Sequence, residues 1–319
     1  MTPFTADELE AACRLVYAAM PPTPQQRWPL LEQRLGAEVW VKHENHTPVG
    51  AFKIRGGLVY MDGLRRREPG LREVVSATRG NHGQSIAFAA ARTGFAATIV
   101  VPHGNSVEKN AAMRALGAEL VEHGDDFQAA REHAIALAQR RGAHMVPSYH
   151  PDLVRGVATG WLEFFAAATP DVVFVPIGLG SGLCACAAAR AATGARTRIV
   201  GVVSAHADAY RRSFVQRSVV EAPVSTRLAD GMACRVPEAA ALETILREAD
   251  DVITVTDEEV GAAMRALFAD THNVAEGAGA AALAGALQQR DRCAGRTIGL
   301  MLSGGNVDST VFAGVLAGG

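Results

Sequence analysis

Short β-branched runs, glycine-bearing turns and alanine-rich amphipathic stretches alternate along most of this chain. Residues 73–77 read as a strand, and after a polar turn residues 84–93 repeat apolar positions at helical spacing up to Gly94. Residues 97–101 form the next strand, stopped by Pro102; Ser106 then caps a helix that Gly117 ends. Strand 118–121 precedes a helix opened by Asp125 or Asp126 and running to Arg141. In the C-terminal half, strands 172–177, 198–204, 252–255 and 297–302 alternate with helices at 183–192, at 257–268 and after Asn306. Strands apolar throughout, alternating with helices, predict an α/β architecture of open parallel sheets covered on both faces. Ligands of such sheets bind beyond the carboxyl ends of the strands, where these glycine turns fall.

Composition narrows the function classes. With 31 Lys+Arg against 33 Asp+Glu in 319 residues, the chain has no basic footprint for nucleic acid or an anionic membrane. No apolar run reaches the ~20 residues of a membrane span, and the acidic start (Asp7, Glu8, Glu10) is unlike a signal peptide. The cysteines, Cys13, Cys184, Cys186, Cys234 and Cys293, are scattered without CxxC spacing and read as buried reduced thiols of a cytoplasmic protein.

Four segments carry chemistry. In residues 48–57 (PVGAFKIRGG), Lys53 lies in a run otherwise short of charge; it is either a snorkelling surface residue or a desolvated amine fit for Schiff-base chemistry. Residues 76–84 (SATRGNHGQ) make a strand-to-helix turn whose N–H groups can receive a carboxylate. Residues 175–183 (VPIGLGSGL) have the make-up of a phosphate cradle: glycine amides, one hydroxyl and a helix N-terminus. A dinucleotide site would need an acid at the end of the next strand, and Ser204, Ala205 and His206 stand there instead. In residues 302–308 (LSGGNVD), Ser303 can offer a neutral hydroxyl to a ring nitrogen.

In this order the four segments resemble the fold-type II enzymes that use pyridoxal 5'-phosphate (PLP), and more narrowly their serine/threonine dehydratase and serine racemase branch. The resemblance implies a tryptophan synthase β-like fold. A large cofactor domain would comprise residues 1–49 and 150–319, and a small mobile domain, residues 50–149, would close over substrate. It implies Lys53 as the cofactor-bearing catalytic lysine. Phe52, Asn81, Gly178, Leu179, Gly180, Ser181, Gly182, Gly231, Glu276 and Ser303 would line the cofactor, and Thr78, Arg79, Gly80, Asn81 and His82 the substrate. The N–H groups from Gly80 to Gly83 are expected to clamp the substrate carboxylate. The implied activity is an ammonia-lyase (dehydratase) reaction on a small β-hydroxy amino acid of serine, threonine or 3-hydroxyaspartate type, carried out by a homodimer. The last motif lies near Gly319, so no C-terminal regulatory domain and no feedback control is expected.

Three departures matter. Arg79 takes the position where racemases carry a second-face serine; it either pairs with a second substrate carboxylate or is an outward loop residue. Leu179 interrupts the glycine loop and must point away from the phosphate. Ser204 stands where the family's divalent-metal site begins with a glutamate, so no metal is expected. Tyr149, His150 and Met232 are further candidates for the specificity pocket. Alternative readings are a dehydratase of a modified amino acid such as hydroxyectoine, a serine racemase-like enzyme, a β-replacing enzyme and a non-catalytic PLP-binding protein.

Overall fold

In the computed structural model, which describes residues 4–318, the chain opens with a capped helix. Thr5 Oγ1 accepts from the Glu8 N–H while the Glu8 carboxylate accepts from the Thr5 N–H, starting α1 (Ala6–Tyr17). Next come β1 (Gln25–Arg27), α2 (Pro29–Leu35), β2 (Glu38–His43) and α3 (Lys53–Arg67). Strand and helix then alternate through β3 (Glu73–Ala77), α4 (Asn81–Thr93), β4 (Ala96–Val101), α5 (Val107–Ala115), β5 (Glu119–Glu122), α6 (Phe127–Arg141) and β6 (His144–Met145). After α7 (Pro151–Ala167) follow β7 (Val172–Pro176), α8 (Ser181–Thr193), β8 (Arg198–Ser204), α9 (Ala209–Gln216), α10 (Ala239–Glu248) and β9 (Asp251–Val255). The chain closes with α11 (Asp257–Thr271), α12 (Gly277–Gln288), α13 (Arg290–Cys293), β10 (Thr297–Leu302) and α14 (Ser309–Leu316).

The strands form two open sheets. One has the order β1-β2-β10-β7-β8-β9, parallel except for the β1 edge; the other, β5-β4-β3-β6, is parallel throughout. Every strand expected from the sequence is present, within a residue at either end. Ser106 and Asp126 cap α5 and α6 as expected, accepting from the Lys109 and Ala129 N–H groups. Two helices start earlier than their apolar periodicity suggests. Asn81 and Ser181 are already helical, with Gly80 and Gly180 at the cap positions; Gly180 has φ +94°, a backbone shape a side chain would hinder, and a Cβ on Gly80 would lie 2.5 Å from Lys109 Cδ.

Two elements at the centre of the molecule had no legible pattern. In β2 the fully buried Lys42 breaks the apolar run; its ammonium is held by the Glu163 carboxylate and the Thr23 carbonyl. In α3 the glycines Gly56 and Gly57 let neighbouring helices come close. A Cβ on Gly56 would lie 2.7 Å from the Leu153 carbonyl of α7, and one on Gly57 2.2 Å from the Ser85 hydroxyl of α4. Between α3 and α7, Arg55 is fully buried and bridges Glu44 and Glu163, with the Thr23 and Thr159 hydroxyls completing the cluster.

Candidate active site

The lysine-bearing start of α3 is stitched to the end of β10. The Phe52 N–H donates to the Ser303 carbonyl at 3.0 Å, and Ala51 makes a bridge with Gly304. Lys53 therefore lies at the carboxyl end of the larger sheet, half-buried, with Nζ 3.0 Å from Ser181 Oγ and 5.1 Å from the Phe52 ring centre. Protein around the ammonium desolvates it and pulls its pKa down to about 8. Of the two readings open for this lysine, desolvated amine and snorkelling surface residue, the surroundings support the first.

Ser181 belongs to the glycine loop 178–182 between β7 and α8, at the positive end of that helix. Gly178 has no room for a side chain: a Cβ there would lie 2.5 Å from the Gly231 carbonyl. Leu179 packs outward against the core beneath the sheet. Its carbonyl accepts from the Tyr210 hydroxyl at 3.0 Å, which also accepts from the Glu238 N–H at 3.1 Å. Tyr210 is buried and fixes the loop from behind.

The turn after β3 differs from the expected carboxylate clamp. Thr78 Oγ1 accepts from the N–H groups of Gly80 and Gly83 at 2.9 and 3.3 Å, so those two are already engaged. The first-turn N–H groups of Asn81 and His82 have no intrahelical acceptor, so of the four N–H groups expected at the clamp these two are not engaged by Thr78. Arg79 is exposed and makes no hydrogen bond or ion pair among the described residues. His82 is buried beside them. Desolvation, and then the Lys53 charge, push its pKa down to about 3 against a hydrogen bond with the Pro147 backbone, so the ring is neutral; Nε2 has no partner.

Asn81 Nδ2 donates to Glu276 Oε1, and Asn81 Oδ1 accepts from Asn306 Nδ2 at 2.8 Å. Ser303 is buried, its Oγ 3.4 Å from the Ala278 carbonyl. Lys53, Asn81, Ser181, Glu276 and Ser303, spread over the whole sequence, thus meet where β2, β3, β7 and β10 end. The other specificity candidates are engaged elsewhere. His150 caps α7 by accepting from the Asp152 N–H, Met232 lies in the core, and the Tyr149 hydroxyl meets Cys184 Sγ. Ser204 accepts from the His206 N–H, and the five cysteines are unpaired. Sequence reasoning missed Lys109, Tyr210 and Asn306 as parts of the site. Asn306 lies within the recognised segment 302–308 but was given no role there, and nothing local marks Lys109 or Tyr210, whose partners are remote in sequence.

Comparison with known proteins agrees with this geometry. A family model described as "pyridoxal-phosphate dependent enzyme" matches residues 16–304. The chain is 37% identical over 280 residues to an L-threonine ammonia-lyase of Geobacter sulfurreducens, covering 86% of this chain and 69% of that one. It is 31% identical to the L-threo-3-hydroxyaspartate ammonia-lyase of Saccharomyces cerevisiae, covering 100% and 98% of the two chains. It spans only 60–61% of the length of the biosynthetic threonine dehydratases of Escherichia coli and Salmonella typhimurium. The solved threonine deaminase isoform 2 of Solanum lycopersicum superposes with a TM-score of 0.89 at 27% identity, covering 99% and 94%.

The residues present suit the cofactor. The desolvated Lys53 amine is matched to an aldehyde, the glycine loop ahead of α8 with its Ser181 hydroxyl to a phosphate, and the buried His82 Nε2 has no hydrogen-bond partner. The chain belongs to the family of pyridoxal-phosphate dependent enzymes of fold type II, and PLP is its cofactor.

Proposed function

We propose that this enzyme is an ammonia-lyase that removes water from a β-hydroxy amino acid bearing a second carboxylate, of 3-hydroxyaspartate type, and releases a 2-oxo acid and ammonia. Arg79 carries the reading: an exposed, unpartnered guanidinium beside the N–H groups of Asn81 and His82, suited to binding a carboxylate in bidentate fashion. The full-length similarity to a 3-hydroxyaspartate ammonia-lyase supports it. Threonine or serine is the second reading, favoured by the 37% identity to an L-threonine ammonia-lyase.

Bound through Lys53, the cofactor supplies the electron withdrawal that acidifies the substrate Cα–H. The chain's own groups do the rest. The Lys53 amine, set free when the substrate's own amine takes its place, would accept the Cα proton as general base. The Asn81 and His82 N–H groups hold the α-carboxylate, and loop 178–182 holds the phosphate. Ser303 would offer the ring nitrogen a neutral hydroxyl rather than a charge. The reading includes residues 50–149 as a mobile domain closing over substrate, and a homodimer in the cytoplasm; light scattering of the holoenzyme checks the dimer.

The test is an ammonia and 2-oxo acid assay on L-serine, L-threonine, phenylserine and both 3-hydroxyaspartates. The expected result is highest kcat/KM on a 3-hydroxyaspartate, falling about tenfold or more in Arg79→Ala while neutral substrates hold. An Arg79→Ala enzyme with unchanged preference removes the acidic-substrate reading, and preference for threonine in the parent selects the second.

A further inference from the structure

Lys109 lies on α5, in the layer of the smaller sheet, yet both groups its ammonium binds belong to the larger one. Nζ is 2.8 Å from Asp230 Oδ2, in the turn Asp230–Met232, and 3.3 Å from Glu276 Oε2, at the start of α12. Its side chain is 7% exposed and that of Glu276 3%. The stem lies along the substrate loop, since a Cβ on Gly80 would come within 2.5 Å of Lys109 Cδ. Other α5 contacts reach the start of α14: the Ser106 hydroxyl donates to Asp308, and Glu108 accepts from the Ser309 N–H at 2.8 Å.

From Glu276 a chain of directed hydrogen bonds runs on. Glu276 Oε1 accepts from Asn81 Nδ2, Asn81 Oδ1 accepts from Asn306 Nδ2, and Asn306 Nδ2 also donates to the Val49 carbonyl at 2.8 Å. Because Asn306 reaches Asn81 through a donor, Asn81 must turn its oxygen there and its NH₂ toward Glu276. This holds only while Glu276 is an acceptor on that side. Two carboxylates share one ammonium here, and burial already pushes the Glu276 carboxyl up, an effect the Lys109 charge opposes.

We propose that Lys109 is a positioning residue: it holds the Glu276 carboxylate as the acceptor that orients the Asn81 amide, and so decides which N–H of Asn81 meets the cofactor's phenolic oxygen. Without Lys109, Glu276 faces Asp230 with no cation, takes a proton, and competes with Asn81 as a donor. The inference rests on the reading of Asn81 as a cofactor contact, so its test includes that residue.

The experiment titrates PLP into the apo forms of the parent, Lys109→Met, Glu276→Gln, Lys109→Met/Glu276→Gln and Asn81→Ala. Intrinsic fluorescence gives Kd, and the visible band of lysine-bound cofactor is recorded for each. Lys109→Met is expected to weaken Kd about tenfold and shift the band. Adding Glu276→Gln should restore both to the values of Glu276→Gln alone, because a neutral glutamine still accepts from Asn81 and needs no cation. If Lys109→Met does not fold, recovery of a folded, PLP-binding double variant supports the proposal and its failure overturns it. A double variant as weak as Lys109→Met also overturns it. Weak binding by Asn81→Ala with parental behaviour of Lys109→Met overturns the coupling alone; parental binding by Asn81→Ala overturns the cofactor reading of Asn81 as well.

Discussion

Replacing Arg55 by methionine should destabilise the protein severely, through charges left behind rather than through lost packing. Arg55 Nε and Nη2 hold the two Glu44 oxygens at 2.7 and 2.9 Å, and Nη1 and Nη2 hold the two Glu163 oxygens at 2.6 and 3.0 Å. The side chains of Arg55, Glu44 and Glu163 are 0%, 0% and 6% exposed. With Lys42 on Glu163, two cations balance two carboxylates; methionine leaves one carboxylate in excess in the interior. Removing one partner of a buried pair costs about 3–5 kcal/mol. At roughly 1.5 °C per kcal/mol for a chain of 319 residues, Tm should fall by roughly 4–8 °C.

The pH dependence gives a second signature. Burial pushes the Glu44 carboxyl up, but the Arg55 charge and hydrogen bonds outweigh it and hold Glu44 below the ordinary carboxylate range. A depressed carboxyl contributes stability above its unfolded pKa and loses it as pH falls through the folded one. The Tm gap between parent and Arg55→Met should therefore be widest near neutrality and shrink in acid. Circular-dichroism melts of the apo proteins across pH measure both, and Arg55→Met/Glu44→Gln should recover part of the loss. A variant melting within about 2 °C of the parent at neutral pH, or a gap that widens in acid, would refute the reasoning.

Two further outcomes follow from the site. The rate at which apo enzyme captures free PLP should rise with pH and level off above about 8, because the fraction of uncharged Lys53 amine saturates there; stopped-flow absorbance checks this, and a rate still climbing toward the ordinary lysine range refutes it. Gly178→Ala puts a Cβ 2.5 Å from the Gly231 carbonyl, so the loop must shift. PLP affinity should drop by about tenfold or more with little change in apo Tm, read by fluorescence titration beside a melt.

The α/β class, the strand order along the chain and each glycine turn were legible because strands apolar throughout and helices with one apolar face write different periods into a sequence. Lys53, Asn81, Ser181 and Ser303 were legible because each sits in a short motif whose composition has its own chemical meaning. The start of α4 was not: Thr78 engages the Gly80 and Gly83 N–H groups and pulls Asn81 and His82 into the helix, leaving their N–H groups free. Nor were β2 and α3, where a buried lysine and paired glycines contradict the local pattern and make sense only against Glu163, Leu153 and Ser85. Sequence fixes what each segment can form by itself through side-chain period and turn chemistry. Which charges end up buried together, as Arg55 with Glu44 and Glu163 or Lys109 with Asp230 and Glu276, is decided only when the two sheets pack, because the partner of a buried charge is set by distance in space and not by distance along the chain.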